Sequence, residues 1–334
     1  MPLITGRKNV IGIYEEASKN KWVLPCFCTE NLTTTEAILS ATKEYGENIG
    51  IKDLPVIIAI TNRYGHRSQS SYYTQTGRWD IGLKLFLADL RVLTAEDSPF
   101  ADLRVMIHLD HTQYDTDSEL LTWDMERFSS IMYDASKLPF KENIELTRQF
   151  VREQGAEIVI EGACDEIIDA EENEKSKLTT VNDAKEYSVK TGVDLIVANL
   201  GTEHRASNPD LKYCGERARE ISSKIGKKIV LHGTSSVPVE QVKNLFDDGV
   251  CKVNIWTTLE RDTTPILFQK MVENASKAAG IETVEKMKKS GLLGSGCKSR
   301  DRASLEFFTT YYRQNIIFKE MKKIAIGYFK IWYI

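Results

Sequence analysis

Long apolar runs are missing from this chain: no stretch of about 18 apolar residues occurs in it, the length a membrane-spanning helix needs. Its opening, MPLITGRKNVIGIYEEASKN, likewise holds no apolar core of signal-peptide length. Strongly basic stretches are absent and the formal net charge is -4, which argues against general nucleic-acid binding. A small anionic ligand needs only a local site and stays open. No segment rich in proline, glycine and serine interrupts the chain as a linker between two domains would. Cysteines number six, but only Cys26 and Cys28 form a Cys-x-Cys pair, with no distant partner pair at zinc-site spacing. Scattered thiols in a reducing compartment are the simpler account, so the expected location is cytoplasmic. Histidine is scarce as well, with five in 334 residues, at positions 66, 108, 111, 204 and 232.

What the chain does have is rhythm. Short apolar runs recur at 22–27, 55–60, 103–109, 129–133, 157–161, 194–199, 228–232 and 251–255. Most of the gaps hold segments with helical spacing, such as NLTTTEAILSATKEYG, PFKENIELTRQFVREQG, TVNDAKEYSVKTG and PVEQVKNLFDDG. Continuous apolar strands alternating with amphipathic helices read as a parallel sheet covered by helices. Glycines at 155, 192, 226 and 249 stand where helix C-caps precede strands. The eight units fit a closed (β/α)8 TIM barrel of class α/β, spanning 1–334 as one domain; an open doubly wound sheet is the alternative. An insertion is expected at about 62–102, including a helix-like DIGLKLFLADLRVL. A helical, aromatic tail from about 300 is expected to pack on the barrel or on a second subunit.

In such a barrel chemistry gathers at the C-terminal ends of the strands. Those ends carry Asp110 and His111 after the third run, Asp134 after the fourth, and Glu161 at the end of the fifth. GTEH with His204 follows the sixth run, the seventh ends in His232, and the eighth carries Asn254. Four of the five histidines therefore fall at one rim. His111, His204 and His232, from three different strands, suit one catalytic ion, and three imidazoles with an open position favour Zn2+. Taken singly, each is equally a hydrogen-bonded core or loop residue, and His108 reads as structural. Asp110, beside His111, is placed either to orient a ligand or to act as the base near a metal-polarised carbonyl. HGTSS at 232–236 and NIWTT at 254–258 expose small residues where loops after the last two strands hold phosphate. The acidic run at 162–178 reads either as solvated surface or as a functional loop.

The sequence resembles the class II, metal-dependent fructose-bisphosphate and tagatose-bisphosphate aldolases from VLPCF to KVNIW. The likeness is carried by HLDH, SSIMYDASKLPFKENIELTR, GTEH, VLHGTSS and KVNI, in family order. The resemblance implies a (β/α)8 barrel that splits or joins a ketose phosphate through a zinc-stabilised enediolate of dihydroxyacetone phosphate. It implies His111, His204 and His232 as zinc ligands, with Asp134 and Glu161 as acidic groups near the ion. It further implies Asp110 as the residue exchanging the proton, and Glu171, with Glu172 beside it, as the loop acid that serves the other half of the substrate.

The departures from the family pattern fall around the substrate. Ala163 replaces a glutamate, Cys28 an asparagine, Thr61 a serine, Arg205 a glycine and Trp256 an aspartate, and the glycine-rich hinge before Glu171 is missing. Thr61, Arg205, Gly233, Ser235, Asn254, Trp256 and Thr257 are therefore the expected substrate and phosphate contacts, with the substrate wall altered. The expected partner is a small phosphorylated or acidic sugar, with no nucleic acid and no membrane, and the expected assembly is a homodimer or homotetramer. A metal-dependent epimerase or other lyase on an acidic sugar, and a non-catalytic barrel subunit of an aldolase complex, are the competing functions.

Overall fold

A strand that is apolar at every position must be covered on both faces, and a ring of such strands inside a layer of helices does this without leaving an edge. The computed structural model describes residues 3–65, 67–166, 178–202 and 213–333. After a two-residue β1 (Leu3–Ile4) come β2 (Leu24–Cys28), β3 (Pro55–Thr61), β4 (Arg104–Gln113) and β5 (Ser130–Asp134). They are followed by β6 (Val159–Ala163), β7 (Leu195–Val197), β8 (Ile229–Leu231) and β9 (Val250–Ile255). Neighbours from β2 to β9 pair in chain order and in parallel, and β9 pairs back onto β2, with Leu24 opposite Lys252. That last pairing closes the ring, so the open doubly wound alternative is excluded and the fold is a (β/α)8 barrel. The short β1 adds to β4 at Val105 and Met106, below the level at which β5 joins it at His108.

Helix α1 (Arg7–Lys19) precedes the barrel. The outer layer continues with α2 (Leu32–Ile49), α3 (Gln69–Tyr72), α4 (Trp79–Leu93), α5 (Phe140–Gln154), α6 (Val181–Thr191), α7 (Gly215–Ile225) and α8 (Thr257–Glu273). Asn31 caps α2 by accepting from the Thr34 N–H, and Thr180 caps α6 by accepting from Asp183. Helices α3 and α4 occupy the long gap between β3 and β4. The helix expected over PVEQVKNLFDDG is absent: Val239–Gln241 makes one 3-10 turn and further turns follow to Gly249. Val242 and Leu245 are nonetheless buried, because a succession of turns satisfies a spacing of three as a helix does. Of the four expected glycine caps, Gly192 is left-handed and Gly226 has positive φ, while Gly155 is right-handed. Gly249 has positive φ but follows turns rather than a helix.

The chain continues through α9 (Ala275–Ala279), α10 (Ile281–Lys289), α11 (Leu305–Phe308) and the long α12 (Thr310–Trp332). Helix α12 lies on α2, α8 and β2, burying Met321, Ala325, Phe329 and Trp332. Its end is pinned to the first barrel strands. The Val23 N–H donates to the Trp332 carbonyl at 3.3 Å, and Tyr45 Oη donates to the Tyr333 carbonyl at 3.1 Å. Tyr333 packs edge-on against Trp22 at 5.3 Å between ring centres, and its hydroxyl donates to the Pro55 carbonyl. Among the described residues, no helix is long and apolar enough to cross a membrane.

Candidate metal centre and active site

Side chains alternate along a strand, so His108 and Asp110 on β4 point into the barrel and His111 would be expected to point out. A bulge changes that. Leu109 pairs with Ile131 and Thr112 with Tyr133, so β4 advances three residues (112 − 109) while β5 advances two (133 − 131). His111 is the extra residue, with φ 46, a left-handed backbone that a non-glycine residue rarely adopts. Such strain survives only where the surroundings hold it, and it gathers at functional sites. Here it brings His111 beside Asp110 rather than onto the opposite face.

The result is a buried group in which one nitrogen each of His111 and His232 and one oxygen of Asp110 lie within 4.8 Å of one another. The His111 and His232 rings meet edge to face at 4.9 Å. His111 is held from behind: its Nδ1 hydrogen-bonds Asp134 Oδ2 at 2.9 Å, and the Tyr64 ring stacks on it at 4.4 Å. A carboxylate on Nδ1 fixes the tautomer that offers Nε2 to an ion. Asp134 is itself saturated, accepting from Gln113 at 2.9 Å and from the Ser136 hydroxyl at 2.6 Å. Burial opposes its charge, but His111 and Ser136 more than offset this and hold its carboxyl down at about 2. Two imidazoles and a carboxylate, buried, adjacent and with one ring pre-oriented, fit a divalent ion.

Asp110 is buried and ionised. Its Oδ1 accepts from Asn254 Nδ2 at 2.8 Å, and its Oδ2 accepts from Cys28 Sγ at 3.2 Å and Arg67 Nη2 at 3.4 Å. Burial works against its charge, yet His111, His232, His108 and Arg67 hold it well below the usual carboxylate range. Burial, with Asp110 adding to it, pushes the Cys28 thiol up, so this contact is a thiol donating to a carboxylate.

The expected residues divide into groups. His232, Gly233, Ser235, Asn254, Trp256 and Thr257 line one pocket together with Cys28, Arg67 and Asp110. Asp134 stands behind His111. Glu161 belongs to a different set: it is fully buried and bonded to Lys252 Nζ at 2.6 Å, with His108 Nε2 at 3.6 Å. Burial and then Lys252 hold His108 well below the usual imidazole range, so it is neutral, and its Nδ1 bonds Ser130 Oγ at 2.8 Å. Thr61 does not line the pocket; its hydroxyl donates to the Arg67 carbonyl and so supports the loop after β3. His204, Arg205, Glu171 and Glu172 lie outside the described residues. Asp165 and Glu166, the last described residues before position 171 in sequence, line a second cleft with His111, Tyr64 and Asp134.

Three residues at this end of the barrel were not anticipated from sequence: Tyr64, Arg67 and Lys252. Lys252 carried a signal, since a lysine between apolar residues of a buried strand needs a buried counter-charge, and Glu161 was the candidate in the same position on its own strand. Tyr64 and Arg67 sit in the polar, aromatic stretch after β3, where nothing in the spacing distinguishes them from surface residues.

The model of class II fructose-bisphosphate aldolases matches residues 8–295. The chain belongs to that family. It is a metal-dependent aldolase-type lyase that acts on a ketose carbon–carbon bond. A fructose-bisphosphate aldolase of Giardia intestinalis is 28% identical over 306 residues, covering 83% of this chain and 85% of that one. One from Treponema pallidum is 28% identical over 294 residues, covering 75% and 82%. The crystal structure of a fructose-bisphosphate aldolase from Campylobacter jejuni superposes with a TM-score of 0.69 at 18% identity, covering 99% of this chain and 95% of that one, and shares the fold.

Proposed function

We propose that this aldolase is a zinc enzyme in which His111, His232 and His204 hold the ion and Asp110 moves the proton. The observation that carries the reading is the bulged His111, strained, carboxylate-backed and set beside Asp110 and His232. A bound divalent ion would supply Lewis-acid polarisation of the substrate carbonyl. The rest falls to the chain. Asp110, positioned by Asn254 and Cys28, takes a proton from the carbon next to that carbonyl. The electron pair left on that carbon forms the new bond to the aldehyde carbon, and Glu171 gives a proton to the aldehyde oxygen; cleavage runs the same steps in reverse. Gly233, Ser235 and Thr257, with the amino end of α8, supply an anion-binding surface for a phosphorylated ketone. The chain would work in the cytoplasm as a homodimer or homotetramer.

The substrate wall supports a reading away from the common hexose bisphosphates. Trp256 puts an indole where the family resemblance implies a carboxylate, and Arg205 a guanidinium where it implies a glycine. The preferred aldehyde therefore ends in a group that is acidic or less polar. The test is solvent deuterium exchange into dihydroxyacetone phosphate, followed by a panel of ketose phosphates. Asp110→Ala is expected to keep near-normal zinc and to slow exchange by about 100-fold or more. Activity within a few-fold of the parent would give the base role to another group. Efficient cleavage of fructose or tagatose bisphosphate by the parent would defeat the altered-substrate reading and leave the mechanism standing.

A further inference from the structure

Arg67 reaches the pocket from the loop after β3, its side chain 14% exposed. Its guanidinium lies over the Trp256 ring, 4.1 Å from the centre, an arrangement that holds the fork in one plane. The fork is little used. Nη2 reaches Asp110 Oδ2 at 3.4 Å, whereas a charge-assisted bond of this kind is ~2.7–2.9 Å. Among the described residues, the buried Nε–H of Arg67 meets no acceptor, and neither does the buried Nε1–H of Trp256. Buried donors without acceptors are uncommon in a finished structure and mark a place where something accepts. Glu260, in the first turn of α8, is pushed up to about 7 by burial and by Glu30, with Arg67 opposing the rise.

Position decides which part of the substrate is involved. The proton that Asp110 moves leaves the carbon at which the new bond forms. A guanidinium on that same carboxylate therefore stands beside the incoming aldehyde, not at the far phosphate of the ketone. We propose that Arg67 is a specificity-determining residue that grips an oxyanion, phosphate or carboxylate, on a short aldehyde substrate through a two-point hydrogen bond. The Trp256 face sets the plane of the fork, and Asp110 keeps Asn254 and Cys28 when the arginine turns to the substrate. The inference rests on the aldolase reading above and adds to it the chemistry of the second substrate.

The experiment uses the zinc-loaded parent, Arg67→Gln, Arg67→Lys and Trp256→Phe. Dihydroxyacetone phosphate is offered three aldehydes of equal carbon number: glyceraldehyde, glyceraldehyde 3-phosphate and tartronate semialdehyde. The readout is kcat/KM for each anionic aldehyde divided by that for the neutral one, which cancels any effect passed through Asp110. Arg67→Gln is expected to lower this ratio about 30-fold for the preferred anion, with Arg67→Lys between it and the parent. Whichever ratio falls further, phosphate or carboxylate, identifies the natural end group. Independently of turnover, inorganic phosphate and acetate are titrated against tryptophan fluorescence; the response expected in the parent should vanish in both Arg67→Gln and Trp256→Phe. Ratios unchanged within about two-fold in Arg67→Gln overturn the inference. Failure of the parent to exchange deuterium into dihydroxyacetone phosphate defeats the aldolase reading instead, and a fluorescence response retained in Arg67→Gln then overturns the role of Arg67 on its own.

Discussion

Two neighbouring layers of the barrel interior are built from the same strands and treated in opposite ways. The lower layer holds His108 of β4, Glu161 of β6 and Lys252 of β9; the upper holds Asp110 of β4 and Asn254 of β9, two residues further along each strand. The layers are separated by about 6.6 Å, two strand steps. Below, opposite charges meet directly: Lys252 and Glu161 are fully buried and 2.6 Å apart. Burial opposes the ammonium, but Cys26, Glu161 and Asp110 raise the pKa of Lys252 above its usual value, and it stays charged. Above, Asp110 has three neutral or distant partners, its arginine stands off at 3.4 Å, and two imidazoles converge on it, one of them backed by the Asp134 carboxylate. A buried charge with its opposite in contact is part of the scaffold. One with positive neighbours held at a distance is arranged around a ligand.

The largest effect should come from the upper layer. His232→Ala is expected to lose most bound metal and all turnover, read by elemental analysis of the purified protein and by an aldol assay. Metal content unchanged in His111→Ala, His204→Ala and His232→Ala alike would dissolve the contrast between the layers. In the lower layer the loss should appear as stability. Lys252→Met strands a buried carboxylate and is expected to cost about 3–5 kcal/mol, measured by urea unfolding, while the double variant Glu161→Gln/Lys252→Met recovers most of it. A single variant as stable as the parent would show that this pair is not holding the barrel.

The smallest effect sharpens the comparison at the pocket edge. The Glu260 carboxyl titrates at about 7 when folded and at about 4.3 in an unfolded chain. Below the lower value both states hold the proton and folding is unaffected. As pH rises, the unfolded chain ionises first, so stability falls across this window, and the penalty is complete above the folded pKa. Glu260→Gln should therefore be more stable than the parent by about 2 kcal/mol near pH 8, with the advantage shrinking toward about pH 5. A gain that does not grow with pH would assign the effect to packing instead.

Much of this was legible in the chain. Strands whose every side chain is buried are runs of apolar residues, so β2 to β9 could be read as a set, and HLDH could be placed at a rim. The misread segment, PVEQVKNLFDDG, failed because Val242 and Leu245 need only a spacing of three, which turns also provide. The His111 bulge could not be read at all, since the extra residue is defined by the register of β5, a strand with its own sequence. Arg67 was hidden for a related reason: its significance lies in meeting Trp256, 189 positions away (256 − 67), across the barrel mouth.

The grip of α12 on the first barrel strands bears on how the molecule is made. Strand β2 and its neighbour β3 leave the ribosome early, yet Trp22, Val23, Tyr45 and Pro55 find their partners in Trp332 and Tyr333. Synthesis must pass α12 before those contacts exist, and β9 must arrive before β2 has its second neighbour. Until then the nascent chain carries an apolar strand with one open edge, a natural client for a chaperone. A chain released before α12 therefore holds the strand that closes the ring, β9, but lacks the contacts of Trp332 and Tyr333 that fasten the first strands from outside.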